Sequence, residues 1–84
     1  MATNQKPIIL YPNPFTNKVT LQVNKAEEVK SIIVVNQLGS QVKILNANQF
    51  KNNQIEFGDE LPAGIYFIQV NDKESTKTVK VIKK

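Results

Sequence analysis

The sequence predicts an all-β fold, an antiparallel β-sandwich of about seven short strands. The chain of 84 residues contains nine isoleucines, nine valines and five threonines, the β-branched residues that favour strands. Ten asparagines interrupt it at short intervals, and no stretch keeps the i, i+3, i+4, i+7 apolar spacing of an amphipathic helix. Turn signals recur roughly every 8 to 12 residues, which favours a sandwich and leaves an open barrel as the alternative.

Two strands are predicted in the first part of the chain. Residues 8–10 form a short strand that ends at Pro12-Asn13-Pro14, because the two prolines remove backbone donors and force a turn. Residues 18–23 place Val19, Leu21 and Val23 on one face, with polar residues between them. This alternation indicates a strand with one buried face.

A hairpin is predicted in the middle of the chain. Residues 29–36 contain the run Ile32-Ile33-Val34-Val35, which is typical of a strand covered on both faces or at the centre of the sandwich. Gly39 closes the turn, where we expect it to supply a positive φ. The return strand, residues 41–46, alternates through Val42 and Ile44, which are expected to face the core.

Three further strands are predicted after a turn at Asn52-Asn53. Residues 54–57 place two apolar side chains on one face, and a loop rich in glycine and proline follows over residues 58–64. Residues 65–70 alternate between opposite faces, with the hydroxyl of Tyr66 expected at the rim of the core. In the last strand, we expect valines on the core face and lysines in solvent: Val79, Val81, Lys80, Lys83 and Lys84.

The composition excludes most enzyme chemistry. The chain has no cysteine, histidine or tryptophan, so it can form no Ser-His-Asp triad, no cysteine nucleophile and no ordinary zinc or haem site. Asp59-Glu60 and Asp72 lie in predicted loops, but the Asp-x-Asp-x-Asp spacing of a calcium loop is absent. We therefore expect no enzyme activity and no cofactor.

We expect no membrane span in this sequence and no signal peptide in its first residues. Its longest apolar run, residues 32–35, is far shorter than the roughly 18 residues that a membrane helix requires. Residues 1–6 are polar and lack the apolar region of a secretory signal peptide. We expect no stable membrane insertion, and the absence of cysteine leaves the compartment open.

Four motifs occur in order along the chain. They are Tyr11-Pro12-Asn13-Pro14-Phe15, Asn36-Gln37-Leu38-Gly39, Leu61-Pro62-Ala63-Gly64-Ile65-Tyr66-Phe67 and Lys80-Val81-Ile82-Lys83. Together they resemble the C-terminal sorting domain of proteins exported by the type IX secretion system of Gram-negative bacteria. Each motif alone is a weak signal, but their order and spacing over residues 8–84 make the resemblance specific.

The resemblance implies an immunoglobulin-like β-sandwich that serves as a C-terminal sorting signal. Such a domain directs a cargo protein from the periplasm through the outer-membrane type IX translocon, with the help of shuttle components. A sortase-like peptidase then removes the domain, and the cargo is attached to the cell surface. The implied location is the periplasm in transit and then the cell surface or the exterior. The domain would be a substrate of the peptidase and not an enzyme.

The resemblance also makes nine residues candidates for recognition by the export machinery. Each has a structural interpretation as well: the prolines end an edge strand, the glycines supply turn conformations, and the tyrosine packs on the core. The candidates are Pro12, Asn13, Pro14, Gly39, Gly64, Tyr66, Lys80, Lys83 and Lys84.

The net charge of +4 is concentrated at the end of the chain. Residues 73–84 hold five lysines and one glutamate, whereas residues 1–72 hold equal numbers of lysines and acids. Lysines on an exposed edge strand discourage pairing with other chains, and here they are also candidates to contact the export machinery. No nucleic-acid partner is expected, because the chain lacks arginine and no aromatic residues alternate with these lysines.

We expect one domain over residues 8–84. Residues 1–7 are interpreted as an added initiator segment or a linker to the cargo. Two alternatives stand beside the sorting function: a surface or carbohydrate-binding module, and a structural spacer in a larger secreted protein. A carbohydrate-binding module normally exposes aromatic residues, yet only six aromatics are present and the core requires most of them.

Overall fold

Seven antiparallel strands form two packed sheets in the computed structural model, which describes residues 8–84. One sheet has the order β1-β2-β5 and the other the order β4-β3-β6-β7. This confirms the predicted all-β sandwich, while the interpretation of residues 1–7 lies outside the described residues. The strands are β1 (Ile8–Tyr11), β2 (Val19–Val23), β3 (Val29–Asn36), β4 (Gln41–Asn46), β5 (Gln54–Phe57), β6 (Gly64–Asp72) and β7 (Thr76–Lys83).

Between residues 8 and 84, the helical segments are two short 3-10 turns, Ala26–Glu28 and Ala47–Gln49. No helix in this part of the chain is long and apolar enough to cross a membrane.

The core lies between the two sheets and follows the alternation of side chains along the strands. In β2 the side chains of Val19, Leu21 and Val23 are buried, as predicted, and β5 buries Ile55 and Phe57 opposite them. Full burial of an aliphatic or aromatic side chain stabilises the fold by roughly 1.5–3 kcal/mol, which makes this alternation the main local determinant of the sheets. The largest fully buried side chains are Phe15, Leu21, Ile32, Ile68, Val19, Val34 and Val81.

The prediction for the inward face of β4 is wrong. Val42 and Ile44 are 40% and 59% exposed, whereas Leu45 is 3% exposed and belongs to the core. Leu45 pairs with the core residue Ile32, so the two side chains share the inner face of the sheet. The pairing slips after Val34, where a β-bulge leaves Val42 without a partner on β3. A shift of one residue turns every side chain of a strand to the other face.

Of the two alternatives for the run in β3, a central position is confirmed, whereas only one of the two faces of the strand is covered. Ile32 and Val34 are buried against the other sheet, but Ile33 and Val35 are half-buried. They lie on the outer face of the four-stranded sheet, which we define as the side turned away from β1-β2-β5. β3 is central in its sheet, between β4 and β6, and no second layer covers its outer face within the described residues.

β6 follows the same rule as β3. Tyr66, Ile68 and Val70 are buried, while Ile65 and Phe67 are half-buried on the outer face. In β7, Val81 is fully buried, as expected, whereas Val79 on the same face is only half-buried, and Lys80 is exposed between them.

Candidate functional site

The four motifs of the sequence meet at one end of the sandwich. Gly64 at the start of β6 pairs with Lys83 at the end of β7. Two residues further along β6, Tyr66 pairs with Val81 on one side and with Asn36 on the other. Strand pairing therefore gathers segments that are far apart in the sequence, and we call residues 11–15, 36–40, 58–66 and 80–84 the motif end.

The first motif is fastened to the last strand by the side chain of Asn13. Its amide nitrogen donates a hydrogen bond of 3.1 Å to the carbonyl of Lys80, and its carbonyl oxygen accepts one of 3.1 Å from the backbone N–H of Ile82. These contacts join residues that are 67 and 69 positions apart. The side chain of Asn13 thus occupies the place that a neighbouring strand would take on the edge of β7.

Phe15 continues this pairing along the edge. Its N–H donates to the carbonyl of Ile82 at 2.9 Å, and its carbonyl accepts from the N–H of Lys84 at 2.9 Å. We call residues 12–15 the clasp. Pro12 and Pro14, each after a cis peptide bond, have no N–H of their own, so the clasp presents only the donors of Asn13 and Phe15 to β7.

The side chain of Phe15 points from the clasp into the core, and the residue is 1% exposed. It lies against Gly58, where a Cβ atom would stand 2.9 Å from the ring, and the φ of Gly58 is +108°. Both the close approach and the positive φ favour glycine at this position. The sequence predicts Gly58 only as part of a loop, because no local pattern indicates its contact with Phe15.

Lys83 does not point to solvent, contrary to the expectation for the last lysines. Its side chain is 8% exposed, and its Nζ donates to the carbonyls of Gly58 and Leu61 at 2.7 Å each and to that of Asp59 at 3.3 Å. The ammonium also lies 5.7 Å from the centre of the Phe15 ring, within cation–π range. Three carbonyl acceptors satisfy the three donors of the ammonium, which offsets its loss of water.

The inward direction of Lys83 follows from its position in β7. It lies two residues beyond the buried Val81, so the period of two along a strand places it on the same face. The period of two along β7 therefore indicates the burial of Lys83, whereas the charge of lysine predicts exposure. Lys80 and Lys84, by contrast, are exposed as expected.

The second motif forms a rigid hairpin between β3 and β4. The side-chain oxygen of Asn36 accepts hydrogen bonds of 3.0 Å from the N–H groups of Leu38 and Ser40. Gly39 has a φ of +88°, which confirms the predicted positive φ, and its N–H donates to the carbonyl of Asn36 at 2.9 Å. This network leaves Leu38 at the tip with its side chain 85% exposed.

The third motif is closed by Tyr66. Its hydroxyl donates a 2.5 Å hydrogen bond to the carbonyl of Pro62, and the side chain is 4% exposed, so the hydroxyl finds its partner inside the domain. Gly64, which lies between Pro62 and Tyr66 in the sequence, has a φ of +158°. A notch of about 200 Å³ separates this loop from the hairpin, and Leu38, Pro62 and Tyr66 are among its lining residues.

An ion pair supports the loop that accepts Lys83. Lys43 on β4 lies 2.6 Å from the carboxylate of Glu60, and this hydrogen bond lowers the pKa of Glu60 below its ordinary value. Among residues 8–84, no group of acidic side chains is arranged to hold a metal ion. Asp72 lies in the turn at the opposite end, where its carboxylate accepts the N–H groups of Glu74 and Ser75 at 2.8 Å.

The structure thus sorts the nine candidate residues into two neighbouring groups. The clasp residues Pro12, Asn13 and Pro14 lie with Lys80, Lys83 and Lys84. Gly39 belongs to the hairpin that borders the notch lined by Gly64 and Tyr66. Within the described residues, Tyr11 is the one aromatic residue that is exposed, and Phe50 and Phe67 are half-buried.

Comparison with known proteins shows which family the chain resembles. A family model described as the secretion system C-terminal sorting domain matches residues 9–84. Karilysin from Tannerella forsythia is 35% identical over 89 aligned residues, which cover 93% of this chain. The chain spans 18% of the length of that relative.

Proposed function

Because the chain belongs to the family of secretion system C-terminal sorting domains, the sorting signals of type IX secretion, we propose that the export machinery reads its signal at the motif end. A domain of this family is attached to a cargo protein whose destination is the cell surface or the exterior. The proposal concerns which surface of the domain carries the address.

The observation that carries the proposal is the bridge from Asn13 to Lys80 and Ile82. It joins the first and last motifs through two hydrogen bonds of 3.1 Å, although the sequence separates them by almost the whole domain. A surface built from both motifs exists only in the folded chain. A receptor that binds it would therefore distinguish a folded domain from an unfolded one.

Within the motif end, we assign different tasks to the lysines. Lys80 and Lys84 are exposed and are available for charge-assisted contacts with carboxylates of the machinery. Lys83 supports the same surface from inside, because its ammonium holds the carbonyls of Gly58 and Leu61 in place. Pro12 and Pro14 fix the course of the clasp, and Gly39, Gly64 and Tyr66 shape the adjacent hairpin and loop.

The partners proposed for this surface are the outer-membrane translocon and the shuttle components of the type IX system. The domain would reach them from the periplasm, and a sortase-like peptidase would remove it after passage. In this scheme the domain is bound and cleaved as a substrate and performs no catalysis. It needs neither nucleic acid nor insertion into the membrane.

A fusion experiment tests the proposal. The full 84-residue chain is placed at the C-terminus of an unrelated reporter that carries a signal peptide, in a host with the type IX machinery. We expect the reporter at the cell surface or in the medium with the domain, and in the periplasm without it. Asn13→Ala should reduce export, whereas Asn17→Ala, at an exposed asparagine outside the clasp, should not. Equal export with and without the domain would refute the proposal.

A further inference from the structure

Leu38 is a large apolar residue whose exposure does not help the domain to fold. It is the tip residue of a hairpin held by the side chain of Asn36, and 85% of its surface faces solvent. Turn positions ordinarily carry small or polar residues, and an apolar side chain that touches little contributes nothing to the core. A large apolar side chain on a rigid support gains free energy when a partner buries it, and the support keeps the entropic cost of binding small.

Leu38 adjoins an apolar surface. Leu38 and Ile65 line the same notch, and Ile65 pairs with Ile82 across the outer face of the four-stranded sheet. The pair of Val35 and Phe67 lies next to them on β3 and β6. Six apolar side chains share this face, namely Ile33, Val35, Ile44, Ile65, Phe67 and Ile82. A continuous apolar patch of this kind marks an interaction surface.

The charge around the patch defines its partner. Lys80 faces outward opposite Phe67, and Lys84 is exposed just beyond the end of β7. The four strands of the sheet contain a single acidic residue, Asp72, which pairs with Val29 at the end far from Leu38. Of the acidic residues in the adjoining loop, Glu60 is paired with Lys43, so Lys80 and Lys84 give this side of the patch its positive charge, and complementarity calls for carboxylates on the partner opposite them.

We propose that Leu38 and this outer face form a docking surface for a protein that presents an apolar socket bordered by carboxylates. The proposal rests on the proposed sorting function and specifies the chemistry of the receptor. A second copy of the chain fits less well, because symmetric pairing would bring like charges together. A lipid surface also fits less well, because its contacts favour tryptophan and tyrosine, and no exposed tyrosine lies on this face.

The first test compares two exposed residues on opposite sheets. Leu38→Ser is placed in the reporter fusion, with Ile9→Thr as the control, since Ile9 is 47% exposed on the other sheet. We expect Leu38→Ser to lower the exported fraction at least about tenfold, as loss of an anchor residue does. The control should export normally, and both melting temperatures should stay within about 3 °C of the unaltered domain, because both sites are exposed.

The second test changes the charge of Lys80 and asks whether a second copy of the chain or a lipid surface binds the docking surface instead. Lys80→Glu should reduce export more than Lys80→Gln, because it places a carboxylate opposite the carboxylates of the receptor. The purified domain should sediment as a monomer and should not bind phosphatidylglycerol vesicles. Dimerisation or vesicle binding that Leu38→Ser abolishes would overturn the assignment to a protein receptor.

The outcomes separate this inference from the sorting function. If the unaltered domain exports the reporter and the folded Leu38→Ser variant exports it equally well, the docking surface is wrong and the sorting function stands. If the unaltered domain fails to export, the sorting function itself is wrong.

Discussion

The ammonium of Lys83 donates a 2.7 Å hydrogen bond to the carbonyl of Gly58, a residue 25 positions earlier in the chain. This contact connects the last strand to the loop that precedes β6. It also places the charge of Lys83 beside the ring of Phe15, which belongs to the clasp. The end of the chain is thereby part of the packed structure.

Lys83→Met should destabilise the domain. Methionine keeps the apolar stem but removes the donors, so the buried carbonyls of Gly58 and Leu61 lose their partner, at a cost of about 1–3 kcal/mol in the free energy of unfolding. Lys80→Met, at an exposed site of the same strand, should change it by less than about 0.5 kcal/mol. Urea unfolding of both variants measures the difference, and equal stabilities would show that Lys83 does not support the loop.

Asn13→Ala should release the clasp from β7. The N–H of Ile82 and the carbonyl of Lys80 both lose a partner, with an expected loss of about 1–2 kcal/mol. Hydrogen exchange gives a local measurement, because the amide of Ile82 should exchange faster in this variant than in the Asn17→Ala control. Unchanged protection of that amide would contradict the bridge.

Gly58→Ala and Gly39→Ala should differ although both glycines have a positive φ. At Gly39 nothing lies within 4 Å of the added Cβ atom, so only the backbone penalty of about 1 kcal/mol is expected. At Gly58 the Cβ atom meets the ring of Phe15 at 2.9 Å, which should add about 1–3 kcal/mol of overpacking. Thermal unfolding of the two variants measures the gap, and a larger loss at Gly39 would be inconsistent with this packing.

Leu45→Ala and Ile44→Ala test the register of β4. Leu45 is 3% exposed, so its truncation should cost about 2–4 kcal/mol, whereas Ile44 is 59% exposed and should lose less than about 1 kcal/mol. A larger loss of stability for Ile44→Ala than for Leu45→Ala in denaturant unfolding would contradict this register. It would support the one that the sequence alone predicts, in which Ile44 faces the core.

Prediction from the sequence succeeded where one strand carries its own signal. β2 and β5 alternate apolar and polar residues, and the turn at Gly39 has the residue that its φ requires. It failed at β4, because the bulge after Val34 depends on how the strand pairs with β3 and leaves no mark in the alternation. Local patterns define strands, but the inward face of a strand is decided by its partner.

The residues of the candidate site could be predicted from the sequence, but their arrangement in space could not. Asn13 and Lys80 belong to motifs that carry the family resemblance. They come together only through the pairing of β6 with β7 and the fold of the clasp. The burial of Lys83 needed the carbonyls of residues 58–61, which come from a loop without a recognisable pattern.

The central claim, that the address is read at the motif end of the folded domain, is tested most directly by the exported fraction of a reporter fused to a Lys80→Gln/Lys84→Gln variant. The control, Lys25→Gln/Lys51→Gln, removes the same charge from exposed lysines outside the motif end. Both variants should melt within about 3 °C of the unaltered domain, because all four lysines are exposed. We expect the first variant to leave its reporter in the periplasm while the control exports normally. Normal export by a folded Lys80→Gln/Lys84→Gln variant would contradict the claim.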